Sequence, residues 1–330
     1  YSVESLSLVY RFDNSGRGSF MAEQVLVIGA TLIDVKGKPT AGLEPGTSNP
    51  SHIRLTRGGT ARNVAENLGL LGAEATLISA VGNDLTGMQL IDQTAAAHVN
   101  VDYVQQVDGE HTGAYMAVLE TNGSLSVALD DVSVMNHITP DFLHRNRALF
   151  RDTNMVMMDG SLSEAAMKTV VRLTSQYNVP LCADPSSARL AYKLIPYLPQ
   201  LHLIVPNEVE AAQLCRFSIL NREDPNKVLH LARMLVQKGV ENVVLTLSDF
   251  GLDYATPDET GYIPPRYSEM VDSTGTGDSV TAAIMYGMLN ELPTIEAIRL
   301  GAAAASLTLE TTETVVPDLS LDLLYHHLVV

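Results

Sequence analysis

The chain alternates short, continuous apolar runs with longer segments of helical periodicity. Residues 24–29 (QVLVIG) form a β-branched run that ends in glycine, and residues 60–71 repeat apolar side chains at helical spacing. The same pair of patterns follows at residues 75–81 and at about residues 86–97. Continuous apolar runs are typical of parallel strands that are covered on both faces. The alternation therefore predicts an α/β fold, in which helices pack on a mainly parallel sheet.

The same alternation returns in the second half of the chain. It predicts strands at residues 154–159, 180–184, 202–205 and 240–247, and helices at residues 163–177, 207–214, 228–238, 279–289 and 295–309. A length of 330 residues, 46% of them hydrophobic, can bury the core of one large or two modest domains. Residues 1–20 show no clear periodicity, so we expect an arm or remnant outside a domain that spans residues 21–330.

Residues 114–129 interrupt the α/β alternation. Two apolar runs, at residues 114–120 and 124–129, flank an Asn-Gly pair that begins at Asn122. Asn-Gly between apolar runs is a strong signal for a β-hairpin. Residues 36–56, rich in proline and glycine, are also extended in character. Together these segments predict a small sheet that projects from the main body; an ordinary surface hairpin is the alternative.

Charge and composition exclude several classes of protein. Lys and Arg number 21 against 38 Asp and Glu, a net charge of −17, so we expect no nucleic-acid partner. No apolar run reaches the roughly 18 residues of a membrane span, and we expect no membrane association. Cys182 and Cys215 have no CxxC partners, which favours small core residues in the reducing cytoplasm.

The stretch DSTGTGD at residues 272–278 is the most informative motif. Gly275 and Gly277 let backbone N–H groups turn toward a bound group, and an apolar helix follows directly. The unpaired N–H groups of that helix can bind an anion without a basic side chain. Asp278 can then accept the proton of a hydroxyl that attacks phosphorus; a simple helix-capping role is the alternative. The glycines follow neither the Walker nor the dinucleotide-binding spacing.

A second motif places an amide and a carboxylate on one helix face. Asn207 and Glu210 are three residues apart at the start of a predicted helix. This pair suits a hydrated Mg²⁺ that is held largely through water and phosphate. A capping box, which closes the helix N-terminus, is the alternative.

A third group lies near the first predicted strand. Asp34 follows that strand at its carboxyl end, where open α/β sheets bind ligands. A carboxylate there can accept hydrogen bonds from two adjacent hydroxyls of a sugar. Gly58, Gly59 and Asn63 lie at another strand–helix junction and are candidates for the same pocket. For each of these residues alone, a solvated turn is the alternative.

Together these motifs resemble those of the ribokinase-like sugar and nucleoside kinases, the PfkB family. Residues 58–72 (GGTARNVAENLGLLG), with residues 80–84 (AVGND) and Gly87, are similar to its N-terminal signature. Residues 207–210 (NEVE) match its NxxE motif, and residues 272–278 resemble its C-terminal signature. The resemblance implies a three-layer α/β/α sandwich with a mainly parallel sheet and a small β-lid. It also implies a kinase that uses ATP and Mg²⁺.

The resemblance assigns a role to each motif residue. Asp278 would be the catalytic base, and the N–H groups of Gly275, Thr276, Gly277 and Asp278 would hold the transferred phosphoryl group. The sugar would be bound by Asp34, Gly58, Gly59 and Asn63. The ATP side would include Asn207, Thr246, Ser248 and Gly251, with Ser248 where glycine is usual, and Mg²⁺ and its waters would be organised by Asn207 and Glu210. Asp272 and Thr274 match a loop that binds a monovalent cation, such as K⁺, in many members.

The resemblance also bears on the lid and on the substrate. The predicted lid segments are residues 36–56 and 101–132, and an exposed lid sheet could pair with a second copy to form a homodimer. The acceptor would be a small sugar or nucleoside. The branch that phosphorylates the 5′-hydroxyl of the C-nucleoside pseudouridine is the most similar, through residues 48–50, 58–90, 131–139 and 316–320. Other nucleoside kinases, ribokinase and fructokinase are alternatives, as is a non-catalytic sugar or nucleotide sensor. One departure is Leu32, which stands where ribokinase-type members often have Asn.

Overall fold

The computed structural model describes residues 23–217, 225–249, 251–265 and 270–328, so the predicted arm at residues 1–20 lies outside the described residues. The strands are β1 (Gln24–Ile28), β2 (Leu32–Pro39), β3 (Ser51–Gly58), β4 (Glu74–Gly82), β5 (Asn100–Val107), β6 (Gly113–Leu119), β7 (Leu125–Asp131), β8 (Met155–Asp159), β9 (Leu181–Asp184), β10 (Leu203–Ile204), β11 (Asn242–Thr246), β12 (Leu252–Ala255) and β13 (Thr260–Ile263). The α-helices are α1 (Thr60–Leu70), α2 (Leu85–Ala96), α3 (Pro140–Arg145), α4 (Arg147–Arg151), α5 (Glu164–Tyr177), α6 (Glu208–Cys215), α7 (Pro225–Gln237), α8 (Thr276–Leu289), α9 (Thr294–Leu309) and α10 (Leu321–His326). Within these ranges no helix combines the length and the apolar character that crossing a membrane requires.

The main sheet has nine strands in the order β13-β12-β11-β10-β9-β8-β1-β4-β5. Every neighbouring pair from β11 to β5 is parallel. The strands β12 and β13 add an antiparallel edge. The mainly parallel sheet that the apolar runs predict is therefore confirmed.

Helices cover both faces of this sheet. Val25 and Val27 of β1 point into a core with α1, α8 and α9, whereas Leu26 and Ile28 point into a second core with helices α3 to α7. Successive side chains of a strand face opposite sides, so an all-apolar strand must be covered on both. The result is the three-layer α/β/α sandwich that the resemblance implies.

A separate four-stranded sheet, which we call the lid, has the order β3-β2-β6-β7. The predicted hairpin is present as β6 and β7, which pair antiparallel. The predicted lid segment at residues 101–132 was too long, because β5 pairs with β4 in the main sheet. The alternating pattern of β5 fits the open edge of a large sheet as well as it fits a lid, so the pattern alone could not separate them.

Candidate active site

Polar residues gather at the carboxyl edge of the main sheet. β8 ends at Asp159 and β9 at Asp184, while Asn207 follows β10 and Thr246 ends β11. The four strands are neighbours in the sheet, and parallel strands present their carboxyl ends at one edge. Asn207 and Thr246 lie side by side through a β-bridge. The sheet thus brings together side chains that are far apart in the sequence.

The loop before α8 presents backbone N–H groups that the fold leaves open. Gly275 has a φ of +83°, and a Cβ there would lie 2.0 Å from the carbonyl oxygen of Thr314. Glycine is therefore required for both the backbone conformation and the close packing. Among the described residues, no carbonyl accepts a hydrogen bond from the N–H groups of Gly275, Gly277 or Asp278. These donors lie at the positive end of a helix, an arrangement that can bind an anion.

The space beside these donors is open. A Cβ built on Gly277 would meet nothing within 4 Å. Thr276, the first residue of α8, has a buried hydroxyl oxygen without a partner in the described part of the chain. Its N–H makes a long contact of 3.4 Å with the carbonyl oxygen of Ser273. All four residues of the predicted phosphoryl-binding loop therefore meet at one helix start.

Asp278 lies in the first turn of α8 and is partly exposed. Its Oδ2 accepts a 2.5 Å hydrogen bond from Nδ2 of Asn63, a buried residue of α1. Desolvation raises the pKa of Asp278 to about 6, although Asn63 and Arg62 act in the opposite direction. The carboxylate is therefore largely deprotonated at neutral pH and has a pKa close enough to accept a proton efficiently.

A buried arginine fixes the orientation of Asn63. Arg62 is 0% exposed, and its guanidinium donates to Oδ1 of Asn63 and to the carboxylate of Glu66. Its Nε donates to the carbonyl oxygen of Gly58 at 2.9 Å. Burial lowers the pKa of Arg62 from its ordinary value, and Glu66 partly offsets this. Because Oδ1 of Asn63 accepts from Arg62, the amide nitrogen of Asn63 is left to face Asp278.

Asp34 follows β1 as expected but lies within lid strand β2, so the solvated turn that was its alternative is wrong. Asp34 is buried, with only 6% of its surface exposed. A Cβ on Gly58 would lie 2.2 Å from Oδ1 of Asp34, so Gly58 makes room for this carboxylate. Burial and the charge of Asp278 raise the pKa of Asp34 to about 7. The lid therefore places Asp34 within electrostatic reach of Asp278.

The remaining predicted sugar-side residue, Gly59, lets α1 approach β1. Its φ is +97°, and a Cβ there would lie 2.3 Å from the carbonyl oxygen of Ala30. Sequence analysis missed Thr56 and Tyr115, which stand opposite Asp34 in the register of the lid. The hydroxyl oxygen of Thr56 is buried with no partner among the described residues, and burial raises the pKa of Tyr115. Only the strand register could have revealed these two residues.

Asn207 and Glu210 form a capping box at the start of α6. Oδ1 of Asn207 accepts from the N–H of Glu210, and Oε2 of Glu210 accepts from the N–H of Asn207, both at 2.9 Å. The helix-capping alternative is therefore present. Burial raises the pKa of Glu210 to about 7, and the charge of Asp278 adds to this rise, so the capping carboxylate also lies within electrostatic reach of Asp278.

The acidic residues beside this helix suit a hydrated Mg²⁺. Burial, followed by the charge of Glu210, raises the pKa of Asp184 well above its ordinary value. Two buried carboxylates that repel one another are stabilised by a divalent cation. No three His, Cys, Asp or Glu side chains in the described ranges converge closely enough to ligate a metal directly. The buried acidic pair of Glu210 and Asp184 fits a cation that is contacted through water.

The predicted ATP-side residues surround the turn after β11. The N–H of Thr246 donates to the carbonyl oxygen of Pro206 at 3.0 Å, beside Asn207. The carbonyl oxygen of Gly251 accepts from the N–H of Leu247 at 3.0 Å. Ser248, between them, is exposed. The turn brings these residues to the same edge as α6.

A lysine lies at the two residues that the resemblance assigns to a monovalent cation. Nζ of Lys36 is 2.8 Å and 2.7 Å from the two carboxylate oxygens of Asp272, and it also donates to the hydroxyl oxygen of Thr274. An ammonium group therefore already satisfies both side chains. The residues present do not fit a resident K⁺ at this point.

Sequence analysis also missed Asp159 and Asp184. Oδ2 of Asp159 accepts from the N–H of Ala30 at 2.8 Å and from that of Ala61 at 3.2 Å. It thereby ties the end of β1 to the start of α1, which carries Asn63. Both aspartates end an apolar strand. Asp34 became a candidate because it follows the carboxyl end of a predicted strand. The same criterion could have identified Asp159 and Asp184.

The fold and the site together define a phosphotransferase with an alcohol acceptor. The chain belongs to the family described as pfkB family carbohydrate kinase, which matches residues 22–320. It is 34% identical to a pseudouridine kinase of Escherichia coli (strain K12), over 91% of this chain and 94% of that protein. It is 29% identical to a guanosine-inosine kinase of Exiguobacterium acetylicum, over 90% of this chain and 98% of that protein.

A solved structure supports the fold. The chain matches a putative ribokinase II of E. coli, in complex with ATP and Mg²⁺, with a TM-score of 0.77. The match covers 93% of this chain and 99% of that one, at 18% sequence identity. The ribokinase-like architecture that the motifs imply is therefore confirmed.

Proposed function

We propose that this kinase transfers the γ-phosphoryl group of ATP to the 5′-hydroxyl of pseudouridine, with Mg²⁺ as the metal. The observation that carries the phosphotransfer is the position of Asp278 beside the open N–H groups of α8, within electrostatic reach of Asp34. The nucleoside is supported by the 34% identity to a pseudouridine kinase. A purine nucleoside is the second candidate, supported by the 29% identity to a guanosine-inosine kinase.

The proposed reaction is an in-line displacement at phosphorus. The 5′-oxygen forms a bond to the γ-phosphorus while the bond to the β,γ-bridging oxygen breaks, and ADP leaves. Asp278 accepts the proton of the hydroxyl, and the N–H groups of Gly275, Thr276 and Gly277 stabilise the charge on the transferring group. When bound, Mg²⁺ neutralises phosphate charge. Asn207 and Glu210 would hold it through water, next to Asp184.

The acceptor would be held between α1 and the lid. Asp34 can accept hydrogen bonds from the two ribose hydroxyls, and the missing side chain at Gly58 leaves room for this carboxylate, which a Cβ would meet at 2.2 Å. Asn63 links this pocket to Asp278 through its 2.5 Å hydrogen bond. The buried hydroxyl of Thr56 supplies a further polar contact on the inner face of the lid.

A substrate panel tests this proposal. With ATP and Mg²⁺, we expect kcat/KM for pseudouridine to exceed that for uridine, guanosine, adenosine, ribose and fructose, as measured by ADP release. Asp34→Asn should raise KM for the preferred acceptor, because a neutral amide is a weaker partner for two hydroxyls. Preference for guanosine would favour the second candidate. ADP release with none of the acceptors above the rate with water would contradict the proposed function.

We further propose a homodimer through the outer face of the lid. This face carries exposed Ile53, Leu55, Val127 and Leu129, of which Leu55 is 64% and Leu129 65% exposed. The chain has a net charge of −17, and repulsion between two copies opposes an interface least where the contact is apolar, as on this face. Burying each such side chain would contribute about 1.5–3 kcal/mol.

Analytical ultracentrifugation tests the dimer. Leu55→Asp and Leu129→Asp should each shift the protein to monomers, because each would bury a charge in the interface. Leu85→Asp is the matched control, since Leu85 is 67% exposed but lies on α2, outside the lid. Monomers of the unchanged protein at micromolar concentration would contradict the dimer.

We infer a cytoplasmic location from the two buried, unpaired cysteines, Cys182 and Cys215.

A further inference from the structure

A single ammonium group links the lid to the loop that leads into α8. Lys36 belongs to lid strand β2, two residues after Asp34 and on the same face of the strand. Its Nζ makes a two-oxygen ion pair with Asp272, at 2.7 Å and 2.8 Å, and also donates to the hydroxyl oxygen of Thr274. The side chains are mostly buried, with 15% exposure for Lys36 and 23% for Asp272. An ion pair this well shielded from solvent is screened much less than one on the surface.

The partners of Lys36 shape the loop that ends in the open N–H groups. Oδ1 of Asp272 also accepts from the N–H of Thr274 at 2.9 Å and from its hydroxyl at 2.8 Å. The next residue is Gly275, which begins the phosphoryl-binding turn. Although burial alone would raise it, the pKa of Asp272 is lowered by the hydrogen bonds from Lys36 and Thr274. Without a cation, Asp272 would be a shielded charge with no counter-charge in contact, and the loop would lose its contact with Lys36 of the lid.

We propose that Lys36 is a positioning residue that replaces a bound monovalent cation and makes this kinase independent of K⁺. An ammonium and a K⁺ ion carry the same charge, and both attract carboxylate and hydroxyl oxygens. Here the ammonium group belongs to a side chain of the protein itself, and it contacts both carboxylate oxygens of Asp272. A free cation would have to displace it. The inference deepens the proposed function, because it concerns how the phosphoryl-binding loop is held.

The same strand carries both the sugar-side carboxylate and this cation. Asp34 and Lys36 are separated by one residue of β2, and Nζ of Lys36 contacts both carboxylate oxygens of Asp272. The strand that carries the sugar-side carboxylate is therefore also bonded to the loop that leads into α8. A diffusible cation could order the loop but could not link it to the lid.

The test compares monovalent cations at constant ionic strength. For the unchanged protein we expect the same kcat and KM with K⁺, Na⁺ or choline as the chloride salts. Lys36→Ala should lower kcat in choline by at least about tenfold, because the loop is misplaced. Potassium or ammonium ions should restore part of this loss, since the shortened side chain leaves room for them. Lys36→Met removes the charge but fills the same space, so it should not be rescued.

Lys38→Ala is the matched control, because Lys38 lies on the same strand but is exposed. It should behave like the unchanged protein. A second readout needs no turnover: the midpoint of thermal unfolding without substrates. Potassium should raise this midpoint selectively, relative to choline, for Lys36→Ala and not for the unchanged protein or Lys36→Met.

Strong activation of the unchanged protein by K⁺ over Na⁺ and choline would overturn the proposal. So would a Lys36→Met variant with normal kcat in choline. If no acceptor in the panel is phosphorylated, the proposed function fails. The cation dependence of unfolding still decides the role of Lys36, which keeps the two failures distinguishable.

Discussion

Asp278→Asn is expected to lower kcat by at least about 100-fold, the usual scale for loss of a general base. The amide cannot take the proton of the attacking hydroxyl, but it keeps the shape of the carboxylate. Its oxygen can still accept the 2.5 Å hydrogen bond from Asn63, so the fold should be retained. KM should change much less than kcat, because the proposed binding mode holds the acceptor mainly through the lid and α1.

The pH dependence gives a second readout of the same residue. The pKa of Asp278 is about 6, so kcat of the unchanged protein should fall as the pH drops below about 6. Ligands and neighbours will move this midpoint, since the charged groups that act on the carboxylate come from several elements: Asp34 on β2, Arg62 on α1, Asp159 on β8, Asp184 on β9 and Glu210 on α6. The residual kcat of Asp278→Asn should not show this fall at low pH.

As the pH rises through about 6, the stability of the folded protein should fall while its activity rises. Because the folded protein raises the pKa of Asp278, it binds the proton more tightly than the unfolded chain does. The stabilising effect of that proton is present at low pH and is lost as the pH rises through about 6. At pH 8, Asp278→Asn should therefore unfold at the same temperature as the unchanged protein or at a higher one.

The matched control is Asp141→Asn, which alters an exposed first-turn aspartate on another helix, α3. It should leave kcat unchanged. Near-normal turnover of Asp278→Asn would remove the role of base from Asp278. Unfolding of this variant at room temperature would instead point to a structural role.

Gly277→Ala should abolish most activity without loss of stability. The added methyl group would meet no protein atom within 4 Å, so it would project into the open space beside the N–H groups of α8. A transferring phosphoryl group displaced by about 1 Å costs about 100-fold in rate. Alanine is also a better helix former than glycine, so the free energy of unfolding should stay equal or rise.

Gly275→Ala should lose activity because the added methyl group does not fit within the folded chain. Its methyl group would lie 2.0 Å from the carbonyl oxygen of Thr314, and its φ of +83° is strained for alanine. We expect a loss of about 1–3 kcal/mol in the free energy of unfolding, in addition to a loss of activity. Gly42→Ala is the control, because a Cβ there also meets open space and it lies in a loop between β2 and β3.

Chemical denaturation and steady-state kinetics on the same preparations separate these outcomes. Equal loss of stability in the Gly277 and Gly275 variants would mean that the backbone conformation of the turn, and not space for a phosphoryl group, requires glycine at both positions. Full activity of Gly277→Ala would show that the phosphoryl group does not pass beside this residue.

Much of the scaffold follows from local sequence. The apolar runs predicted the buried strands β1, β4, β8 and β9, because a strand covered on both faces must be apolar along its length. The Asn-Gly pair predicted the hairpin of β6 and β7. The antiparallel edge formed by β12 and β13 was missed, as was the membership of β5 in the main sheet. Pairing between strands depends on which edges are free, and no local pattern carries that information.

The candidate site divides in the same way. The sequence alone determined the glycine loop, the first-turn position of Asp278 and the helix start at Asn207, because each depends on residues within one turn of a helix. The tertiary structure alone decided that Asn63 bonds to Asp278, that Arg62 orients Asn63 and that Lys36 contacts Asp272 and Thr274. These contacts join residues more than 200 positions apart, such as Lys36 and Asp272, or depend on burial. They form because the parallel sheet brings its carboxyl ends to one edge and the lid folds back over them.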